Sequence, residues 1–243
     1  MSAPRAVVLL SGGLDSATCL AVARRDGHEV HALSVDYGQR QRAELAAARR
    51  LATALGAASH RIVSVDLRAL GGSALTDDAI AVPKDRSDDA IAHGVPSTYV
   101  PARNTILLGL ATAAAEVAEA DAIYLGINAI DFSGYPDCRP EFLEAFRAVA
   151  RAGTRRGAEG HPFDVRAPLL RLRKSDIVRL AVELAVPIAW TLSCYDPPEP
   201  TADASRSPSL AAPSLHCGRC DACHLRRRGF LEAGLPDPTA YAD

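Results

Sequence analysis

The chain has 243 residues, 48% of them hydrophobic, enough to bury a sizeable core in one enzyme-sized domain with a small appendage. Its 27 Lys+Arg and 29 Asp+Glu leave a formal net charge of −2, which excludes the broad basic field of a nucleic-acid partner. The apolar run at 7–10 is too short to span a bilayer and no apolar segment follows a basic n-region, so the expectation is a cytoplasmic chain with no membrane partner.

Residues 6–10, Ala-Val-Val-Leu-Leu, form a continuous apolar run, as expected of a strand buried on both faces. Ser11-Gly12-Gly13 follows at once, and a helical pattern opens near Asp15 with Ala17, Leu20, Ala21 and Ala23. Adjacent glycines let backbone N–H groups approach a pyrophosphate, and the new helix adds its positive end. Ser11 and Ser16 add hydroxyl donors. Asp15 beside a polyanion is costly unless Mg²⁺ or a basic group neutralises it. The stretch is neither a Walker A loop, since it lacks the lysine, nor G-x-G-x-x-G.

Further along, the pattern predicts a strand at 30–36, a helix at 42–55 ended by Gly56, and a strand at 61–65. Residues 71–100 are polar and proline-bearing and read as an irregular substrate loop. A helix at 104–119, a strand at 122–127 and helices at 141–151 and 174–184 follow. Strands alternating with helices predict an α/β fold, a parallel doubly wound sheet. Ligands in such sheets sit beyond the carboxyl ends of the strands, where Ser11, Asp36 and Asn128 fall.

Near the other end, Cys194 precedes Cys217-x-x-Cys220-x-x-Cys223. Thiolates at that spacing can hold one tetrahedral ion, and four sulfur ligands leave no open position, so the expectation is structural Zn²⁺. Flanking His216 and His224 are possible substitutes, while Asp221 and Arg226-Arg227-Arg228 look solvated or poised toward an anion. Residues 197–214, with five prolines, read as a loosely ordered loop inside the metal site. The division expected is a phosphate-loop α/β domain over 1–190 and a zinc-binding subdomain over 191–243.

The segment Ser11-Gly12-Gly13-Leu14-Asp15-Ser16 resembles the S-G-G-x-D-[ST] signature of the PP-loop ATP pyrophosphatases. Adding Val35-Asp36-Tyr37-Gly38-Gln39-Arg40, Pro101-Ala102-Arg103-Asn104, the run from Asn128 through Asp131-Phe132-Ser133-Gly134-Tyr135-Pro136-Asp137-Cys138-Arg139-Pro140, Ser193-Cys194-Tyr195-Asp196-Pro197 and the cysteine cluster, the chain resembles the 7-cyano-7-deazaguanine synthase family. The long 197–214 segment is a departure from it. The resemblance implies an adenine-nucleotide alpha-hydrolase-like fold, a homodimer, and conversion of 7-carboxy-7-deazaguanine and ammonia to the 7-nitrile with release of AMP and pyrophosphate.

Site expectations follow from the residues and the resemblance together. Leu10, Ser11, Gly12, Gly13, Leu14, Asp15, Ser16, Asp36 and Asn104 are expected on ATP and its Mg²⁺. Asp15, Ser16, Arg103 and Lys174 are expected to act in catalysis, and Asn128, Asp131, Phe132, Tyr135, Asp137 and Arg139 to bind the deazaguanine. Asn104 also reads as a helix cap. Lys174 stands out because the chain has only two lysines, Lys84 and Lys174, so a compact charge is expected there at a helix start facing polyphosphate. Cys138 reads as a small buried residue of the substrate loop rather than a nucleophile.

Overall fold

Five parallel strands make the main sheet: β1 (Arg5–Leu9), β2 (Glu29–Asp36), β3 (Ser59–Ser64), β4 (Ala122–Tyr124) and β5 (Asp164–Arg166), in the order β3-β2-β1-β4-β5. The computed structural model describes residues 3–128, 134–198 and 214–242. Alternation along β1 assigns its two faces. Val7 packs with Leu33, Ile123 and Val165 beneath α4 (Arg103–Val117) and α5 (Pro140–Ala152). Ala6, Val8 and Leu10 pack on the opposite side against α1 (Leu14–Arg25), α2 (Ala43–Ala54) and α7 (Lys174–Glu183). Helices on both faces and parallel pairing throughout make the sheet doubly wound.

The chain enters the sheet at β1, runs outward to β3, then returns to the other side of β1 as β4. Order therefore reverses at β1, and a crevice opens beyond the carboxyl ends of β1 and β4, where open α/β sheets bind ligands.

Several elements depart from the pattern read in sequence. β4 has three residues instead of six, because residues 125–128 leave the sheet to line the crevice. The 71–100 stretch contains a short helix α3 (Asp88–Ala92), whose Ser87 side chain accepts from the Ala90 amide. A short helix α6 (Arg155–Ala158) and β5 carry no apolar run of their own; β5 is Asp-Val-Arg.

Beyond Cys220 the chain forms α8 (Asp221–Ala233), ended by Gly234 in the left-handed conformation. Two short strands, β6 (Leu215–His216) and β7 (Ala240–Tyr241), pair in parallel beside it. Phe230 of α8 packs in one cluster with Leu14, Ala17, Leu51 and Val178, and the four cysteines pack with Val35, Leu67 and Leu75. Among the described residues no helix is long and apolar enough to cross a membrane.

Candidate active site

The loop after β1 is shaped by a glycine that no other residue can replace. Gly12 has φ +96°, and a Cβ there would lie 2.2 Å from the Glu44 carbonyl oxygen of α2. The loop thus rests directly on the α2 backbone. From the other side the Leu192 amide donates to the Gly12 carbonyl at 2.8 Å.

Serine hydroxyls organise the turn. The Ser11 amide donates to Ser16 Oγ at 3.2 Å, Ser16 Oγ donates to the Gly13 carbonyl at 3.0 Å, and the Leu14 amide donates to Ser193 Oγ at 3.4 Å. Gly13 caps α1 in an extended conformation without a side-chain cap bond. Among the described residues the amides of Gly12, Asp15 and Ser16 donate to no protein group. A helix N-terminus with free amides is an anion site.

Lys174, the first residue of α7, reaches Asp15: its Nζ donates at 2.8 and 2.7 Å to the two carboxylate oxygens. A cation at a helix N-terminus opposes the helix dipole, and the Asp15 carboxylate offsets that cost. Lys174 is buried because Gly229 of α8 leaves room for it; a Cβ on Gly229 would lie 2.4 Å from Lys174 Cγ.

Arg103 opens α4 from the opposite wall. Its Nη1 donates to the Tyr37 hydroxyl at 3.4 Å, and its Nε is buried with no hydrogen-bond partner among the described residues. Asn104 is not the cap of α4, a position held by Ala102. The Asn104 amide donates to Asp137 Oδ2 at 2.9 Å, and its Nδ2 donates to the Asp137 carbonyl at 3.0 Å and to Cys138 Sγ at 3.3 Å. Asn104 and Asp137 therefore brace the turn that carries Cys138, and burial pushes the Cys138 thiol up to about 12. Tyr135 shares its hydroxyl with Thr98 Oγ1 at 2.8 Å and Tyr195 at 3.3 Å.

One crevice collects Leu10, Ser11, Gly13, Leu14, Asp15, Ser16, Arg103, Asn104, Asn128, Tyr135 and Lys174. Gly12 stands behind the loop against α2, and Asp36 pairs with Arg42 at 2.6 Å outside the crevice lining. Asp137 and Arg139 also lie outside that lining, Asp137 buried and Arg139 exposed at the start of α5. Asp131 and Phe132 lie outside the described residues.

The crevice also holds Tyr37, Glu44, Ser193 and Tyr195, to which the sequence reading gave no role, and Arg226. Glu44 is buried, accepts from Gln39 Nε2 at 2.9 Å, and has its carboxyl raised by burial to about 7, against the lowering influence of Gln39 and Arg103. Nothing in the sequence of α2 marks it.

Of the two readings offered for Asp221 and Arg226, solvated or poised toward an anion, burial overturns the first. Arg226 is 1% exposed, and its guanidinium donates to Thr191 Oγ1 at 2.8 Å, Ser193 Oγ at 3.2 Å, the Ile188 carbonyl at 3.1 Å and Thr239 Oγ1 at 2.7 Å. Asp221 is buried and pairs with Arg86 at 2.8 Å. Arg227 lies over the Tyr241 ring, 3.9 Å from its centroid, and Arg228 meets Asp88 at 3.0 Å. The signal was present: Ala222, Arg226 and Phe230 recur at four-residue spacing, one inward stripe of a helix.

The Sγ atoms of Cys194, Cys217, Cys220 and Cys223 all lie within 4.8 Å of one another and all four residues are buried. A tetrahedral ion bound at about 2.3 Å to four sulfurs needs sulfurs roughly 3.8 Å apart. Cys217 and Cys223 are 4.0 Å apart and Cys220 and Cys223 3.5 Å, so the four thiols can hold a metal ion. The flanking histidines are engaged elsewhere. His216, held neutral by burial with its pKa near 4, accepts from the Ser193 amide at 3.1 Å through Nε2 and faces the Ser214 carbonyl through Nδ1. His224 meets Asp88 at 2.7 Å.

A phosphate loop at the switch point of a parallel sheet, facing a buried lysine and a half-buried arginine, defines a PP-loop nucleotide-binding α/β protein. Residues 5–234 match the family model described as queuosine biosynthesis protein QueC, and the chain belongs to that family. It is 63% identical over 240 residues to a protein of Anaeromyxobacter dehalogenans (strain 2CP-C), covering 99% of this chain and 97% of the relative. It is 53% identical over 239 residues to a protein of Myxococcus xanthus (strain DK1622), covering 98% of each. A protein of Pseudomonas paraeruginosa (strain DSM 24068 / PA7) is 51% identical over 241 residues, covering 99% of this chain and 100% of that relative. All three relatives are named 7-cyano-7-deazaguanine synthase.

Proposed function

We propose that the chain is an ATP-dependent carbon–nitrogen ligase that converts 7-carboxy-7-deazaguanine and ammonia to 7-cyano-7-deazaguanine, in the cytoplasm and as a homodimer. The observation that carries this reading, beyond family membership, is the loop after β1. Among the described residues its amides at Gly12, Asp15 and Ser16 donate to no protein group, and they stand beside the buried Lys174 and the half-buried Arg103 in one crevice. That is a receptor for a polyphosphate built into a wall that also accepts a flat, partly apolar ring.

The carboxylate cannot accept ammonia directly, because oxide is not a viable leaving group. The carboxylate oxygen attacks the α-phosphorus, the bond to pyrophosphate breaks, and an acyl-adenylate forms. Ammonia adds to its carbonyl carbon and AMP departs with the bonding pair, leaving the amide. A second adenylation, on the amide oxygen, lets AMP leave again as the nitrogen sheds its protons and the nitrile forms.

Residue roles follow from position. Ser11, Gly13, Leu14, Asp15 and Ser16, with Leu10 beneath them, cradle the phosphates, and Gly12 gives the loop its shape. Lys174 neutralises Asp15 and turns its charge toward the departing pyrophosphate. Arg103 stabilises negative charge developing at the other wall, and preorganised charge of this kind is the main source of rate in phosphate-centred displacement. Asn128 and Tyr135 line the ring's side of the crevice, while Asn104 and Asp137 hold the turn behind it and Arg139 opens α5. Asp131 and Phe132 belong to the same substrate segment by sequence, and Asp36 sets the end of β2 beside the nucleotide.

Mg²⁺ would be held between Asp15 and the phosphates and would supply charge neutralisation there. Zn²⁺ fits the four thiols and would organise residues 191–243 as a subdomain behind the 1–190 ATP-binding domain. The test is incubation of the protein with ATP, ammonium and 7-carboxy-7-deazaguanine, followed by mass analysis. The expected products are the nitrile, AMP and pyrophosphate. ATP cleaved to ADP, or no nitrile, refutes the reading.

A further inference from the structure

Ser193 stands on the crevice wall beside the phosphate loop, one residue before Cys194. Its hydroxyl accepts from Arg226 Nη1 at 3.2 Å and from the Leu14 amide at 3.4 Å. A serine hydroxyl has two acceptor sites and one proton to donate. Both acceptor sites are filled, and among the described residues the proton has no protein acceptor. That leaves the proton for a ligand in the cavity that Ser193 and Arg226 both line.

Arg226 is an unusual neighbour. It is a fully buried cation whose close partners, Thr191, Thr239, Ser193 and the Ile188 carbonyl, are all neutral. Its ion pair with Asp237 is long, 4.0 Å. A buried charge without a close counter-ion is expensive, and an anion entering the adjoining cavity relieves that cost. The guanidinium also polarises the hydroxyl it donates to, which makes Ser193 a stronger donor.

The same short segment touches the cysteines. The Leu192 amide holds the Gly12 carbonyl, the Ser193 amide donates to His216 Nε2, and Cys194 Sγ accepts from the Cys217 amide at 3.2 Å. Arg226 lies one helical turn after Cys223 on α8.

We propose that Ser193, held in place by Arg226, is a further phosphate-binding hydroxyl of the nucleotide site and ties that site to the four-cysteine centre. The inference rests on the reading that the crevice takes ATP. Ser193 is the phosphate-contacting residue; Arg226 is a positioning residue that acts through it.

The test is calorimetric binding of a non-hydrolysable ATP analogue to the full chain, with zinc content and melting temperature measured on every variant. Ser193→Ala is expected to weaken the analogue by roughly tenfold or more, the loss of a hydrogen bond to a charged group. Ser193→Thr, which keeps the hydroxyl, is expected to restore binding to within about threefold. Zinc content should match the parent chain in both; Ser193→Ala should melt lower than Ser193→Thr, because it leaves the Leu14 amide and one Arg226 donor without that acceptor. Arg226→Lys is expected to weaken binding in the parent and to add nothing to Ser193→Ala. Parent-like affinity in Ser193→Ala overturns the inference and leaves the ligase reading standing, as does equal loss in the Ala and Thr variants. Failure of the parent chain itself to bind the analogue defeats both.

Discussion

Lys174 has no room to become an arginine. Its Cβ and Cγ lie 3.0 and 2.4 Å from where a Gly229 Cβ would project, and its Nζ meets both oxygens of Asp15. A planar fork cannot reproduce that compact contact in the same slot. Lys174→Arg is therefore expected to lower AMP release by about a hundredfold, the scale of one lost preorganised charge, with an unchanged far-UV spectrum. Gly229→Ala gives a sharper sign. In an ordinary helix interior that change stabilises by about 0.5–1 kcal/mol. Here it should lower both the melting temperature and the affinity for ATP, because the new methyl displaces Lys174. A higher melting temperature with normal affinity would refute the packing argument. Glu44 supplies a pH signature. Burial holds its proton up to about 7, against 4.5 ordinarily. Between those values the native state keeps a proton that the unfolded chain has released, so stability falls as pH rises through that window. Glu44→Gln removes the titration. Urea unfolding at pH 5 and pH 8 should show the variant gaining on the parent by on the order of 2–3 kcal/mol at the higher pH. A constant gap would show that Glu44 does not titrate there.

At the scale of elements, what could be read in advance tracks where the chemistry is local. β1, its loop and α1 were legible because an apolar run, two glycines and a helical period lie within a short stretch of chain. The cysteine spacing was legible because the ion dictates it. β5 was not: Asp164-Val165-Arg166 is a strand only because β4 offers it an edge. α8 carries its four-residue stripe in the sequence, but the stripe includes an arginine, and a buried arginine reads as a solvated one until Thr191, Ser193 and Thr239 are folded around it. The crevice residues Glu44 and Ser193 share that fate, since they reach the loop only through tertiary packing. α8 begins at Cys220, its N-cap, and this separates two reasons for its stability. Serine is a better N-cap than cysteine, so helix capping alone predicts that Cys220→Ser is neutral or stabilising. Metal ligation predicts the opposite, since structural zinc sites in peptides are worth about 10–16 kcal/mol. Cys220→Ser should lose bound zinc and expose α8 amides to rapid hydrogen exchange. Retained zinc and protected amides would remove the metal from the account of this helix.

Taken as one molecule, the nucleotide site and the cysteine centre are stitched to the same body. Gly12 contacts α2 behind it and Leu192 beside it, and Phe230 of α8 packs on Leu14 and Leu51. A ligand in the crevice should therefore stabilise both parts together. At a hundred times its dissociation constant, a ligand that binds only the folded chain adds about 2.7 kcal/mol. For a chain of this size each kcal/mol moves the midpoint by roughly 2–4 °C, so saturating ATP should raise one cooperative transition by about 5–10 °C. Gly12→Ala tests whether the loop is the origin of that shift. The added methyl would fall 2.2 Å from the Glu44 carbonyl at a φ of +96°, so the loop must move away from α2. The variant should melt lower than the parent and show little or no ATP shift. A full shift in Gly12→Ala would place the nucleotide elsewhere. Two separate transitions, with ATP moving only one of them, would show that α8 and the cysteines fold apart from the sheet they pack against.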